Sequence, residues 1–148
     1  MQTNVFSPSQ TIFSTRLGSL LQALSAPARL DILRTIGMGE ACVCHLEAVL
    51  GQRQAYISQQ LMALRDAGLI ESRRDGRFIY YRLSDPRVLD LLRLAAGVAG
   101  LPEAEVDAAF QPQAAVRCEC PKCQLVQIAV PDQTRAGSTD FADGTDIP

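Results

Sequence analysis

The sequence predicts a mainly α-helical domain that carries one β-hairpin. Apolar residues recur at helical spacing in several consecutive segments, and an Asp-Gly pair separates two β-prone runs. The chain has 148 residues, of which 47% are hydrophobic and 20% charged, as in a globular domain with an extension. It lacks a secretory signal and any apolar run of about 18 to 20 residues, so we expect a cytoplasmic protein with no membrane partner.

Six helices are predicted, and several of their boundaries have a local cause. The first amphipathic pattern begins after a loose arm over residues 1–8. Pro27 suits the first turn of the second helix because its missing N–H costs nothing there, and Gly37 ends that helix. Asp85 and Pro86 provide a cap and a first turn for the fifth helix. The predicted helices cover residues 9–24, 27–36, 42–50, 54–67, 86–98 and 103–110.

A helix-turn-helix followed by a basic hairpin is predicted in the middle of the chain. The third and fourth helices are joined by a short turn at Gly51, which is typical of that motif. Two strands, over residues 69–74 and 77–83, flank the pair Asp75-Gly76, which is a strong hairpin signal. This order is that of a winged helix-turn-helix, in which the second helix of the pair enters the major groove of DNA.

The predicted reading helix presents polar residues on its exposed face. Ile57, Leu61 and Leu64 recur at i, i+4 and i+7 and are expected to face the core. Glutamine can pair with adenine, and serine and tyrosine can bond to bases or phosphates. Arginines beside the hairpin turn suit the DNA backbone or the minor groove. The predicted DNA-binding residues are Gln54, Tyr56, Ser58, Gln59, Arg73, Arg74 and Arg77.

Charge is distributed unevenly and favours a nucleic-acid partner for the first part of the chain. Residues 1–93 hold 11 Arg against 8 acidic residues, whereas residues 94–148 hold 3 basic and 8 acidic residues. Of the 14 basic residues 13 are Arg, whose planar fork suits phosphate and guanine. Residues 131–148 contain 4 Asp and few apolar residues, so a flexible, disordered acidic tail is expected there.

The first thiol group, Cys42 and Cys44, stands at the start of the third predicted helix. With 5 Cys and no secretory signal, metal ligation or redox sensing is favoured over structural disulfides. The helix dipole and free N–H groups are expected to lower the thiol pKa values at this position. Residues i and i+2 of a regular helix point about 200° apart, so joint ligation is expected to distort the first turn and displace this helix.

The second thiol group, Cys118, Cys120 and Cys123, is compact enough to wrap one ion. Arsenite prefers three sulfur ligands, and cadmium, lead and zinc take three or four, so the two groups are predicted to complete one site. An independent zinc site or a redox role for the second group stays open. His45, the single histidine, is expected to be partly exposed without a metal role, with ligation or pH sensing as alternatives.

Four segments resemble the ArsR/SmtB family of bacterial repressors, which metal or metalloid ions release from DNA. The resemblance implies a homodimer built largely from helices 9–24 and 86–98, with bases read from residues 54–59 and with 73–77 as the wing. It also implies an ion site at Cys42 and Cys44, which match the Cys-Val-Cys motif of arsenite- and cadmium-responsive members. The four segments are residues 26–33 (APARLDIL), 42–46 (CVCHL), 57–70 (ISQQLMALRDAGLI) and 73–83 (RRDGRFIYYRL).

The chain departs from the family pattern at several positions. His45 replaces the usual Asp, Glu47 stands where some arsenite sensors have a third Cys, and the N-terminal arm has no Cys. The second thiol group would replace these missing sulfurs. The fifth helix contains Asp90 but no His, so the family's carboxylate–histidine zinc site is absent from it. The family's usual His at position 59 or 60 is Gln in this chain, which changes the expected operator contacts.

The resemblance implies a dimeric repressor, and the sequence argues against an enzyme because no phosphate loop or nucleophile–base pair is visible. We expect it to bind an inverted repeat in double-stranded DNA and to be released by arsenite first, then cadmium or lead, with zinc as a further candidate and no organic cofactor. The alternatives are a thiol-redox repressor and a zinc-stapled interaction domain that does not read DNA. The predicted domains are an arm (1–8), a DNA-binding and dimerisation domain (9–100), an extension with the cysteine cluster (101–130) and the acidic tail (131–148).

Overall fold

The computed structural model describes residues 7–113 and 118–123. The mainly helical fold with a β-hairpin wing is confirmed. Residues 1–6 of the predicted arm and the predicted acidic tail lie outside the described residues. The elements are α1 (Pro8–Leu24), α2 (Pro27–Ile36), β1 (Ala41–Cys42), α3 (Val43–Leu50), α4 (Gln54–Asp66), β2 (Ile70–Asp75), β3 (Phe78–Leu83), α5 (Arg87–Val98) and α6 (Glu103–Ala109).

Local polar contacts set the first residues of α1 and α5. The first helix begins one residue earlier than predicted because Ser7 and Gln10 form a reciprocal cap. The Gln10 backbone N–H donates to Ser7 Oγ at 3.4 Å, and the Ser7 N–H donates to Gln10 Oε1 at 2.9 Å. At the fifth helix, Asp85 Oδ1 accepts the backbone N–H of Arg87 at 2.9 Å. The residue that caps α5 is nevertheless Pro86, and the helix begins at Arg87, so the predicted cap at Asp85 and first turn at Pro86 are each one residue too early.

The helix-turn-helix consists of α3 and α4. Gly51 ends α3 in the left-handed conformation, with φ of 62°, which a glycine adopts at little cost. Ile57, Leu61 and Leu64 of α4 are buried, as their spacing predicts. They pack in one core with residues of α2 and α3, including Leu46. This packing leaves the opposite face of α4 open to solvent.

A strand that the sequence did not predict, β1, adds a third member to the sheet, whose order is β1-β3-β2. Tyr80 of β3 lies opposite Cys42 of β1 on one side and Arg73 of β2 on the other. Directly opposed residues of antiparallel strands point to the same face, so these three side chains form one row. The hairpin turn is Gly76-Arg77, one residue later than predicted, because Asp75 pairs with Phe78.

The helices α1 and α5 expose large apolar residues to solvent. Phe13 and Val98 are 67% and 86% exposed, and Leu94 is 70% exposed. An apolar groove of about 640 Å³ lies between these helices, α2 and α6. Large exposed apolar patches are typical of interaction surfaces, and a helical dimer interface at these helices stays a prediction. None of the helices within residues 7–113 and 118–123 is long and apolar enough to cross a membrane.

Candidate functional site

Four of the five predicted cysteine ligands lie together in one chain. The Sγ atoms of Cys42, Cys44, Cys118 and Cys120, which we call the four-sulfur cluster, all lie within 4.8 Å of one another. The closest pairs are Cys42 with Cys44 at 2.7 Å and Cys44 with Cys118 at 3.0 Å. The start of the helix-turn-helix and the cysteine segment (residues 118–123) therefore meet at these sulfurs.

The position of Cys42 explains how residues i and i+2 reach the same point. Cys42 ends β1 and caps α3 in an extended conformation, with φ of −87° and ψ of 165°, and only Cys44 belongs to the helix. The Cys42 Sγ accepts the backbone N–H of His45 at 3.4 Å. The prediction that Cys42 lies within the third helix is therefore wrong, and the two sulfurs are adjacent while the first turn of α3 is regular.

The predicted fall in thiol pKa at the start of α3 is also wrong. Burial, assisted by the Cys44 thiol, raises the pKa of Cys42 despite the bond from the His45 N–H. Burial and the neighbouring Cys118 thiol raise the pKa of Cys44 to about 11. Although burial acts in the opposite direction, hydrogen bonds from the Cys123 backbone and nearby thiols lower the pKa of Cys120 to about 7. An ion that binds the cluster must therefore displace protons from Cys42 and Cys44.

Cys123, the fifth predicted ligand, borders the four-sulfur cluster and contacts His45. Its backbone N–H donates to Cys120 Sγ at 3.4 Å, and its Sγ lies 3.1 Å from His45 Nδ1. His45 is half-buried, and this burial lowers its pKa, so its imidazole is expected to be neutral at pH 7. The predicted partial exposure of His45 is confirmed, and its contact with Cys123 had no signal in the sequence.

The donor set of the cluster fits a thiophilic ion. Thiolate sulfur is the ligand preferred by soft ions, whereas magnesium and calcium prefer oxygen. Tyr80, Phe78 and Val49 pack around the sulfurs, so the cluster is partly shielded from water. Three sulfurs suit arsenite, and four suit a tetrahedral ion such as zinc or cadmium.

The predicted DNA-binding residues lie on two elements, the beginning of α4 and the hairpin. Gln54, Tyr56, Ser58 and Gln59 are all exposed on the first two turns of α4. At the wing, which is the β2–β3 hairpin, the guanidinium of Arg77 lies 5.1 Å from the centre of the Phe78 ring. Arg74 is exposed and donates only to the Gly76 carbonyl among the described residues, at 3.2 Å. The positions of these residues are compatible with a DNA interface.

Arg73, the third predicted wing residue, is bound to carboxylates. Its Nε and Nη2 donate to the two oxygens of Glu40 at 3.2 and 3.0 Å, and its Nη1 donates to Asp75 at 3.2 Å. The Lys122 ammonium contacts Glu40 Oε2, which also accepts from Arg73 Nη2. Hydrogen bonds from Arg73 and then Lys122 lower the pKa of Glu40 to about 2. Sequence reasoning missed Glu40 and Lys122, and the only available signal was that Lys122, the single lysine, stands between Cys120 and Cys123.

Comparisons with known proteins place these features among bacterial regulators. The family profile described as "Bacterial regulatory protein, arsR family" matches residues 26–72. The biofilm growth-associated repressor of Agrobacterium fabrum is 39% identical over 90 residues, which is 61% of this chain and 77% of that protein. The probable mercury resistance operon repressor of Streptomyces lividans is 37% identical over 86 residues, which is 58% of this chain and 69% of that protein.

Two solved structures share the fold. NolR from Sinorhizobium fredii matches with a TM-score of 0.59 and 31% identity, over 69% of this chain and 100% of that one. A Mycobacterium bovis domain, described as a homodimeric winged helix-turn-helix DNA-binding domain of a possible ArsR-family regulator, matches with a TM-score of 0.57 and 30% identity. That match covers 68% of this chain and 91% of the other. The residues matched by the family profile include the helix-turn-helix.

Proposed function

The chain belongs to the ArsR/SmtB family of transcriptional repressors, and we propose that a thiophilic ion bound by its cysteines releases it from operator DNA. The observation that carries this proposal is the four-sulfur cluster. Two of its sulfurs belong to the segment that begins the helix-turn-helix, and the other two belong to the cysteine segment. Cys42 and Cys118 are 76 residues apart in the sequence. An ion on all four sulfurs therefore connects the extension to the DNA-binding unit.

The ion-free protein binds DNA as a homodimer in this proposal. The exposed apolar residues of α1 and α5 associate with a second copy, and the M. bovis domain, which is described as homodimeric, supports a two-fold assembly. Each α4 then enters a major groove with Gln54, Tyr56, Ser58 and Gln59 near the bases, and the wing arginines approach the backbone. Two-fold symmetry requires an operator that is an inverted repeat.

Ion capture acts through the residues that hold α3. A soft ion supplies the positive charge and sulfur affinity that allow four deprotonated thiols to remain close together. Cys42 and Cys44 fix the β1–α3 junction, while Cys118 and Cys120 hold the cysteine segment against the sheet. Release requires that the ion and the operator favour different conformations of the dimer. Couplings of this type amount to about 5- to 150-fold in affinity.

Arsenite is the first candidate inducer, and cadmium or lead follow. Cys42, Cys44 and Cys118 have Sγ atoms within 3.6 Å of one another, which supports a three-sulfur site for arsenite. Adding Cys120 gives the four sulfurs that cadmium, lead or zinc take. Mercury joins the candidates because one relative is named a probable mercury resistance operon repressor.

The test is an operator titration in reducing buffer, with DNA selected from random duplexes by the ion-free protein. Each candidate ion is added to wild type, to Cys118→Ser and to Cys123→Ser, which is the matched variant outside the four-sulfur cluster. We expect all three proteins to bind DNA, and the ion to release wild type and Cys123→Ser but not Cys118→Ser. Release of Cys118→Ser at the wild-type ion concentration, or of no protein by any ion, would contradict the proposal.

A thiol-redox repressor is a second candidate, which the short distances within the cluster favour. Cys44 and Cys118 have Sγ atoms 3.0 Å apart, so one disulfide joins the extension to α3 with little movement. Hydrogen peroxide would supply the oxidant: two thiols and one peroxide give one disulfide and two waters. Release by peroxide without any ion, reversal by dithiothreitol and loss of two hydrogens per disulfide in the protein mass would support this function. Release by ions but not by peroxide would exclude this function.

A further inference from the structure

We propose that Glu40 couples the four-sulfur cluster to the wing, by holding Arg73 away from DNA while the cysteine segment is docked. This inference rests on the proposed function and names the residue that transmits its signal. Glu40 directly precedes β1 and lies two residues before Cys42. Among the described residues, the Glu40 carboxylate bonds to Arg73 and Lys122, so its role is to position another residue.

One row of side chains across the sheet brings the cluster and the wing together. Cys42 lies opposite Tyr80, and Tyr80 lies opposite Arg73. The guanidinium of Arg73 and the ammonium of Lys122 both lie over the Tyr80 ring, 5.2 and 5.1 Å from its centre. The same two cations also bind Glu40. Lys122 of the cysteine segment and Arg73 of the wing therefore contact the same ring and the same carboxylate.

Arg73 has fewer free donors than the other predicted wing residues. Three of its five N–H donors are directed to Glu40 and Asp75. Within the described part of the chain, neither Arg74 nor Arg77 forms a salt bridge. A phosphate that approaches the wing must therefore compete with carboxylates at Arg73 but not at the other two arginines.

Lys122 makes this competition depend on the cysteine segment. A single exposed ion pair is weak, and a DNA phosphate can replace it, whereas a network of several charges in fixed geometry is held more firmly. Lys122 lies between Cys120 and Cys123, so its ammonium reaches Glu40 only when the cysteine segment is docked. Docking then fixes the Glu40 carboxylate in the orientation that binds Arg73 through two parallel bonds, a strong arrangement. Arg73 is withdrawn from DNA as a result.

The test uses the full-length protein, its selected operator and cadmium ion as the probe. Glu40→Gln and Lys122→Gln each remove one charge of the network, and Glu71→Gln is the matched control. Glu71 forms a comparable exposed pair with Arg82 on the same hairpin, 3.0 Å apart, but contacts no residue of the cysteine segment. We expect cadmium to reduce operator affinity at least about threefold less in the two network variants than in wild type and in the control. All four proteins should still bind cadmium, because no ligand changes.

Salt dependence provides a readout that a general loss of stability does not change. Each lost phosphate contact reduces the slope of log affinity against log salt by about 0.9. Cadmium should therefore make this slope shallower in wild type by about that amount per subunit, and not in Glu40→Gln or Lys122→Gln. If wild type is released but both variants are released equally and with the same change in slope, the inference is wrong and the proposed function stands. If cadmium binds wild type without releasing it, the inference is wrong, and the titrations with the other candidate ions decide the proposed function. Should Glu40→Gln fail to fold, Lys122→Gln decides alone.

Discussion

The aliphatic core and the four-sulfur cluster are held together in different ways, and α3 belongs to both. The aliphatic core joins neighbouring helices through fully buried residues such as Ile32, Leu33 and Leu46. The second cluster joins Cys42 and Tyr80 to Cys118 and Cys120, which lie far away in the chain. Folding therefore depends on the aliphatic core, and the proposed ion response depends on the four-sulfur cluster. A helix shared by both is well placed to pass a change from one to the other.

The largest expected effect is a loss of stability when the aliphatic core is truncated, which should exceed the loss from a truncation in the four-sulfur cluster. Leu46 is fully buried in α3, and Leu46→Ala removes three carbon atoms from the aliphatic core. We expect the free energy of unfolding to fall by about 2–5 kcal/mol, because lost burial and a cavity both contribute. Urea unfolding followed by circular dichroism measures this change.

The matched substitution in the second cluster is Cys120→Ala, since Cys120 is only 1% exposed. Without an ion, its expected cost is about 1 kcal/mol, the typical effect of a single substitution. Equal losses for Leu46→Ala and Cys120→Ala would show that the sulfur cluster is part of the folding core, and would remove the distinction between the two regions.

A second prediction concerns protons at the four-sulfur cluster. Cys44 has a pKa of about 11 and that of Cys42 is also raised, so both thiols are protonated at pH 7 and must lose their protons to bind an ion. Cadmium affinity should therefore rise with pH, and binding should release more than one proton per ion. Titration calorimetry in two buffers of different ionisation enthalpy measures this number.

The same ion should stabilise the folded protein. At a free cadmium concentration of about 100 times the dissociation constant, the expected gain is about 2.7 kcal/mol, provided that the unfolded chain does not bind. A chelator should reverse the gain. Cadmium affinity that does not change with pH would mean that the thiols are ionised before binding, contrary to the effect of their burial.

Local sequence signals predicted the helices, the hairpin and the inward face of α4. These features depend on residues close together in the chain, such as the Asp-Gly pair or the spacing of Ile57, Leu61 and Leu64. The strand β1 was missed because two residues carry no periodic pattern. The thiol pKa values were predicted with the wrong sign because the helix dipole was visible in the sequence, whereas the burial of Cys42 by the cysteine segment was not.

Contacts between distant segments account for the other differences. The sequence grouped all five cysteines as ligands, but the structure places Cys123 beside His45 at the border of the cluster. The link from Lys122 through Glu40 to Arg73 joins residues 33 and 82 positions apart, which no local pattern encodes. Residue types therefore indicated the chemistry of the site, and the tertiary fold determined which of them act together.

The smallest expected effect is the pH dependence of the link between the two regions. In the folded state the pKa of Glu40 is about 2, below its ordinary value of 4.5, because Arg73 and then Lys122 donate hydrogen bonds to the carboxylate. A lowered pKa means that this carboxylate contributes stability above pH 4.5 and that the contribution is lost as the pH falls towards 2. Wild type should therefore melt slightly above Glu40→Gln at pH 7, by the equivalent of at most about 1 kcal/mol, since exposed pairs are screened by solvent.

Thermal unfolding of both proteins across this range should show the two melting temperatures converging at low pH, and at pH 7 in high salt, which also screens the pair. Melting temperatures that differ equally at pH 7 and near pH 2 would show that the amide changes packing instead of charge, and that the ion pairs of Glu40 contribute little to joining the two regions.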